Sequence, residues 1–216
     1  MSCTAKQIVN QAKAWIGYSE SNGKAFDIID IYNAHRPLAQ GYKVKYSDHW
    51  CATFVSACAI KCGATDIIPT ECSCPRFIEL CKKKGIWLEN ENIKPKKGDI
   101  VLYDWDDSGK GDNKGTADHI GIVENVGNDT FTVIEGNYNC KVARRVLKIN
   151  ARYLRGFARP KYKASASSAG TKKSIEALAH EVIQGKWGNG EERKKRLTAA
   201  GYSYAKVQAR VNRIFK

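Results

Sequence analysis

The sequence predicts an α+β domain over residues 1–163, with N-terminal helices packed on an antiparallel β-sheet, followed by a small three-helix bundle over 174–216. Three observations carry this prediction. Apolar residues recur with the helical period before Gly85 and with period two after it. The helical stretches all precede the strands, so the alternating order of a doubly wound sheet is absent. The tract Ala164-Ser-Ala-Ser-Ser-Ala-Gly170 has no bulky side chain with which to build a core, and a flexible linker is expected over 164–173.

Each element has a local reason. A helix over 4–16 is announced by the capping box Thr4-x-x-Gln7, carried by Ile8, Val9, Ala12, Trp15 and Ile16, and stopped by Gly17. A second, over 24–34, presents Phe26, Ile28, Ile29 and Ile31 ahead of Pro37. The third starts near Trp50, runs to Lys61 and ends at Gly63; apolar side chains nearly surround it, as in a buried central helix. Beyond Gly85, strands are expected over 99–103, 119–126, 130–135, 142–149 and 153–159, joined as a β meander. The segment Glu71-Cys-Ser-Cys74 before Pro75 reads as a loop or a helix start. In the bundle, Ser174 caps a helix that stops at Gly185, a second covers 191–200, and a third covers 204–215.

Composition narrows the class. With 216 residues, 43% apolar and 10% aromatic, the chain is neither a disordered tail, a collagen-like fibre nor a coiled coil. No stretch approaches the roughly 20 apolar residues of a membrane-spanning helix, so no membrane insertion is expected. The first twenty residues lack the hydrophobic block of a signal peptide, so a cytosolic protein with its eight cysteines mostly as thiols is expected. Their spacing contains no Cys-x2-Cys pair, which argues against structural zinc. Of the net charge of +14, residues 171–216 supply +7, from 11 Lys and Arg against 4 Asp and Glu. Such an excess suits nucleic acid, anionic lipid or an anionic wall polymer, and charge alone does not choose among them.

One cysteine stands apart. Cys51 falls in the first turn of the buried helix, where unpaired N–H groups and the positive dipole end stabilise a thiolate. Cys58, about two turns deeper, reads as an inert core residue. Of the four histidines, His35 and His180 read as surface residues. His119 is preferred over His49 as the base, because it opens a strand after a long polar loop whereas His49 is only two residues from Cys51. A base needs an orienting acceptor, and Glu135 closes the apolar run Phe131-Thr-Val-Ile134 with Asn137 two residues on, on the same face if the strand continues. The loop 104–112 gathers carboxylates near a glycine, which raises the question of calcium; interspersed lysine and the lack of a closing Glu at EF-hand spacing argue against it.

Four ordered blocks now carry a resemblance. Trp50-Cys-Ala-Thr-Phe-Val-Ser56, Gly98-Asp-Ile-Val-Leu-Tyr-Asp-Trp105, Asp118-His-Ile-Gly-Ile-Val-Glu124 and Val133-Ile-Glu-Gly-Asn137 resemble the signature blocks of CHAP domains, the cysteine, histidine-dependent amidohydrolase/peptidases, over about residues 4–160. The resemblance is to those of phage endolysins from Gram-positive hosts. It implies a papain-like fold of the NlpC/P60 superfamily, Cys51 as nucleophile, His119 as base, Glu135 as its orienting residue and Asn137 as a further polar member. Some such domains hold calcium in an Asp-rich segment around the nucleophile; here Thr53 and a single nearby Asp48 depart from that pattern, and no cofactor is expected. Trp50 and Trp105 are candidate substrate-groove residues.

The stretch Gly185-Lys-Trp-Gly-Asn-Gly-Glu-Glu-Arg193 followed by Leu197-Thr-Ala-Ala-Gly-Tyr202 resembles the CW-seven (Cpl-seven-type) cell-wall-binding repeat. That resemblance implies a muropeptide ligand, with Trp187, Tyr202 and Arg210 as candidate contacts. The expectation is therefore a peptidoglycan hydrolase, amidase or endopeptidase, held in the host cytoplasm until lysis and then acting on the wall, with no nucleic-acid partner. The alternative is a non-catalytic wall-binding or nucleic-acid-binding protein on a degenerate papain-like fold, whose mark would be a lost nucleophile or base; neither is lost here.

Overall fold

The computed structural model describes residues 3–89, 93–106, 115–164 and 173–215. The chain divides into two compact units, Met1–Ser165 and Ala166–Lys216. The expected linker falls largely on 165–172, and the carboxylate-rich loop largely on 107–114, both outside the described residues.

In the first unit the helices come first: α1 (Ala5–Ala14), α2 (Lys24–Ala34), α3 (Cys51–Lys61) and α4 (Cys74–Lys83). The capping box forms as the sequence demands, with Thr4 Oγ1 accepting from the Gln7 N–H and Gln7 Oε1 accepting from the Thr4 N–H. α3 is buried at every position from Cys51 to Ala59 and packs on both α1 and α2. α4 is more than a loop. Pro75 fits the first turn, where its missing N–H costs nothing, and Phe77, Ile78 and Cys81 form the buried stripe ahead of Gly85.

The strands are β1 (Trp87–Leu88), β2 (Ile100–Tyr103), β3 (His119–Val126), β4 (Thr130–Glu135), β5 (Ala143–Lys148) and β6 (Leu154–Ala158). They form one antiparallel sheet in the order β1-β6-β2-β3-β4-β5. Only β2 to β5 make the expected meander. β6 crosses back to pair with β2 and in turn takes the unanticipated β1 on its outer edge. Local periodicity identifies a strand but carries no information on which edge it joins.

Alternation along the strands divides the core. Ile100, Leu102, Ile120, Ile122 and Ile134 join the helices in one cluster, while Val101, Tyr103, Val123, Phe131 and Val133 join Leu147, Leu154 and Phe157 on the opposite face. The helical face meets the sheet at close range. A side chain at Gly136 would overlap Phe54, because its first carbon would lie 2.3 Å from the Phe54 Cβ. Bare backbone at Gly136 is what lets α3 lie this near the end of β4.

The second unit contains α5 (Ile175–Ile183), α6 (Gly190–Ala199) and α7 (Tyr204–Ile214) around Leu178, Ala179, Val182, Leu197, Val207 and Val211. Ser174 and Ser203 cap α5 and α7 through their hydroxyls. Among the described residues no helix is long and apolar enough to cross a membrane.

Candidate active site

Helix α3 delivers Cys51 at its first position. Trp50, at the N-cap, makes no capping side-chain bond, so the first-turn N–H groups are left for other acceptors. The Ala52 N–H beside the Cys51 sulfur favours its charged form. Cys51 is 6% exposed, and two further side chains lie beside its sulfur. Cys74, the first residue of α4, places its Sγ 3.8 Å away. His119, the first residue of β3, sits beside Cys51 on one side and meets Glu135 on the other, its Nε2 lying 3.2 Å from Glu135 Oε2.

Glu135 is wholly buried at the end of β4, and its charge is answered by Arg145 on β5, whose Nε donates to both carboxylate oxygens at 3.0 Å. The guanidinium lies between two aromatic faces, 3.9 Å from the Tyr138 centroid and 4.9 Å from that of Trp105. Trp105 stacks on Tyr103 at 4.8 Å, and Tyr103 stacks on the His119 ring at 5.7 Å. Packing and hydrogen bonding thus fix the imidazole from two directions.

The electrostatics follow from these contacts. The hydrogen bond with Cys74 does most to hold the Cys51 thiol well below its ordinary pKa, helped by His119 and the Ala52 N–H against the opposing effect of burial. Burial alone would lower His119, yet its bonds to Cys51 and Glu135 outweigh that, and it is pushed up to about 9. Both directions favour a thiolate beside an imidazolium. Cys58, fully buried with its pKa raised by desolvation, is inert as expected of a core thiol.

The sheet makes room for the acid with a glycine. Gly121 pairs with Glu135 across β3 and β4, and a methyl group there would lie 2.8 Å from Glu135 Cγ and 2.5 Å from Val133 Cγ1. Gly121→Ala is therefore expected to push the carboxylate off the His119 ring, at a cost of about 1–3 kcal/mol in stability. Any catalysis that depends on this ring should fall by more than that destabilisation explains. The check is activity measured at a temperature where the variant is still fully folded by near-ultraviolet circular dichroism.

Residues 40–137 match the CHAP domain family, and residues 176–215 match the CW_7 repeat. The chain carries a CHAP domain and a CW_7 repeat. A stretch of 44 residues is 54% identical to the lysozyme of Streptococcus phage Cp-7, covering 20% of this chain and 13% of that protein, so this chain spans only a small part of that relative's length. An NlpC/P60 family protein from Bacillus cereus aligns over 74% of this chain and 41% of its own with 14% identity and a TM-score of 0.42.

Within the CHAP domain the four sequence candidates divide. Cys51, His119 and Glu135 form one connected chain of contacts. Asn137 does not continue it. β4 ends at Glu135, Gly136 turns against Phe54, and Asn137 takes a left-handed φ of 56° that carries its amide to His49, 3.2 Å from Nδ1. The premise that the strand runs on through 137 fails at that turn.

Trp50 is corrected from groove residue to core. It is 0% exposed, with its indole N–H bonded to Glu20 at 2.9 Å. Trp105 remains 38% exposed beside Arg145. Two contacts of the site were missed from sequence. Arg145 reaches Glu135 only through strand pairing, and Cys74 reaches Cys51 only through the docking of α4; Pro75 marked the start of that helix but not its neighbour. Among the described residues no three His, Cys, Asp or Glu side chains converge as a metal-holding group.

In the CW_7 repeat, Trp187 packs edge-on to Tyr202 with ring centroids 6.0 Å apart and donates its indole N–H to Glu181. Arg210 is engaged with Glu176 across α5 and α7. Tyr202 also borders a cleft of about 300 Å³ with Lys173, Lys206 and Ser203.

Proposed function

We propose that the CHAP domain hydrolyses amide bonds of bacterial peptidoglycan and that the CW_7 repeat holds the enzyme on the wall through a muropeptide. The observation that carries the catalytic reading is the unbroken line from Cys51 through His119 to Glu135, set at the open N-terminus of α3. The thiolate attacks the amide carbonyl, and the carbonyl oxygen takes up charge beside the Cys51 backbone N–H at the helix N-terminus. His119 passes its proton to the leaving nitrogen as the C–N bond breaks, leaving a thioester. Water, deprotonated by the now neutral His119, attacks that thioester, releasing a carboxylate and restoring the thiolate. Glu135 keeps the ring oriented and favours its charged form. No metal or other cofactor is needed for these steps.

The pH dependence follows with a definite sign. Activity should fall on the alkaline side as pH passes about 9, where His119 loses the proton it gives to the leaving amine. On the acid side it should persist well below the ordinary thiol range, since Cys51 stays ionised there. Initial rates on sacculi at constant ionic strength test this. An alkaline limb centred near 6.5, the value of an unperturbed imidazole, would contradict the ion pair.

The decisive experiment is mass spectrometry of fragments released from purified Gram-positive sacculi, with Cys51→Ala alongside. Intact stem peptides freed from lactyl-bearing glycan identify an N-acetylmuramoyl-L-alanine amidase, whereas disaccharide-peptides with shortened stems or bridges identify an endopeptidase. The absence of any Cys51-dependent fragment from every wall type defeats the catalytic reading. Loss of co-sedimentation with sacculi on removing residues 171–216 is the expected result for the targeting role.

A further inference from the structure

We infer that Cys74 is a working member of the site, its thiol donating a hydrogen bond to the Cys51 sulfur and holding that sulfur as the thiolate. This role rests on Cys51 being the nucleophile proposed above. The two sulfurs are 3.8 Å apart and each residue is 6% exposed, so water competes little for either. A packing role alone would account for the burial. It would not account for what holds the two thiols together.

The loop ahead of Cys74 is tied to the helix that carries Cys51. Ser56 on α3 donates to the Glu71 carbonyl at 2.6 Å and accepts from the Glu71 N–H at 2.8 Å. The buried Glu71 carboxylate then accepts from the N–H groups of Cys72 and Ser73 and from Arg76, closing the N-terminus of α4 where Ser73 makes no side-chain cap bond. Ser56, Glu71 and Pro75 thus place the first residue of one helix against the first residue of the other on a common frame. Ser56 and Glu71 had no evident purpose in the catalytic line itself, and this gives them one.

The chemistry also settles which sulfur keeps the proton. Cys51 has the His119 imidazolium and the Ala52 N–H beside it, both favouring its charge. The hydrogen bond to Cys51 and burial hold the Cys74 pKa well above the ordinary thiol value, and the charges of Cys51 and Asp118 add to them. The donor is therefore Cys74 and the acceptor Cys51. A thiol is a weak donor, but toward a desolvated thiolate the bond is charge-assisted.

The test needs no wall substrate. Iodoacetamide alkylation of Cys51 in the full chain, followed across pH by peptide mass spectrometry, reports the thiolate fraction at that one site. In Cys74→Ala the midpoint should rise by about one unit, a tenfold loss of reactivity below it, and Cys74→Ser, with a hydroxyl donor, should recover part of the shift. A purely structural role predicts no shift in either variant once the fold is intact, and that result overturns the inference. Reciprocity supplies a second measurement should either variant fold poorly: in Cys51→Ala, the midpoint of Cys74 itself should fall, and an unchanged midpoint also overturns it. Failure here is separable from failure of the enzyme reading. Sacculus hydrolysis that survives Cys51→Ala removes the nucleophile, whereas an unmoved Cys51 midpoint in Cys74→Ala removes only the donor.

Discussion

Cys51→Ala should lower amide release from sacculi by about 10⁴-fold or more while leaving the fold intact. The size of the loss follows from the geometry. Cys58, the other thiol on α3, is fully buried and kept protonated, so no neighbouring sulfur on that helix can substitute. Alanine is the best helix former and leaves only a one-atom void at a position that is 6% exposed, so the unfolding midpoint should move little. One change beyond activity is expected. With the thiolate gone, burial regains its hold on His119 and its pKa should drop from about 9, which is measurable in the imidazole proton resonances. A variant that loses activity but keeps a His119 value near 9 would mean that Glu135 alone supports the imidazolium.

Glu135→Gln should cost about 10³-fold in turnover, by analogy of role with the acid that orients a triad histidine. The amide preserves shape but cannot match the charge of the imidazolium, and it presents the wrong group to Arg145. Breaking a fully buried ion pair commonly costs about 3–5 kcal/mol. Here the loss in stability should fall below that range, because the Arg145 side chain is 25% exposed and keeps its stacking on Tyr138 and Trp105. The prediction is thus a large kinetic effect with a modest thermodynamic one, read from urea unfolding and fragment release on the same preparation. Glu135→Ala should reverse the balance by leaving a void as well. If Gln at 135 lowered stability but spared turnover, Glu135 would be only a structural anchor for β5.

What could be read from the chain was what neighbours in sequence determine. The Thr4 and Gln7 box, the bounds of α2 and the extents of β3 and β4 rest on contacts within a few residues, and those expectations hold in the structure. Residues meeting across long loops were opaque. Cys74 is 23 positions from Cys51, and neither carries a spacing that would single out the pair. Arg145 belongs to the site because β5 pairs with β4 in a register that sets it beside Val133, two residues from Glu135 and on the same face. Asn137 shows the reverse error. Period-two reasoning is sound only while the backbone stays extended, and a single left-handed residue two positions past a strand end sends the side chain elsewhere. The return of β6 to pair with β2, inside β1, belongs to the same class, for it is set by the sheet as a whole.

The burial of α3 has a consequence for how this protein would vary. Every position from Cys51 to Ala59 lacks a solvent face, and Phe54 leaves no gap against the backbone at Gly136. Across a population of variants selected for lysis, the whole block should be nearly invariant although only its first residue is proposed to meet the bond that breaks. Invariance around the nucleophile would then mark the tolerance of a close-packed interior rather than the extent of the catalytic machinery. The two constraints separate under a different selection. Scored by retained folded protein instead of lysis, the positions from Ala52 onward should stay intolerant, and Cys51 should become free to vary among small residues.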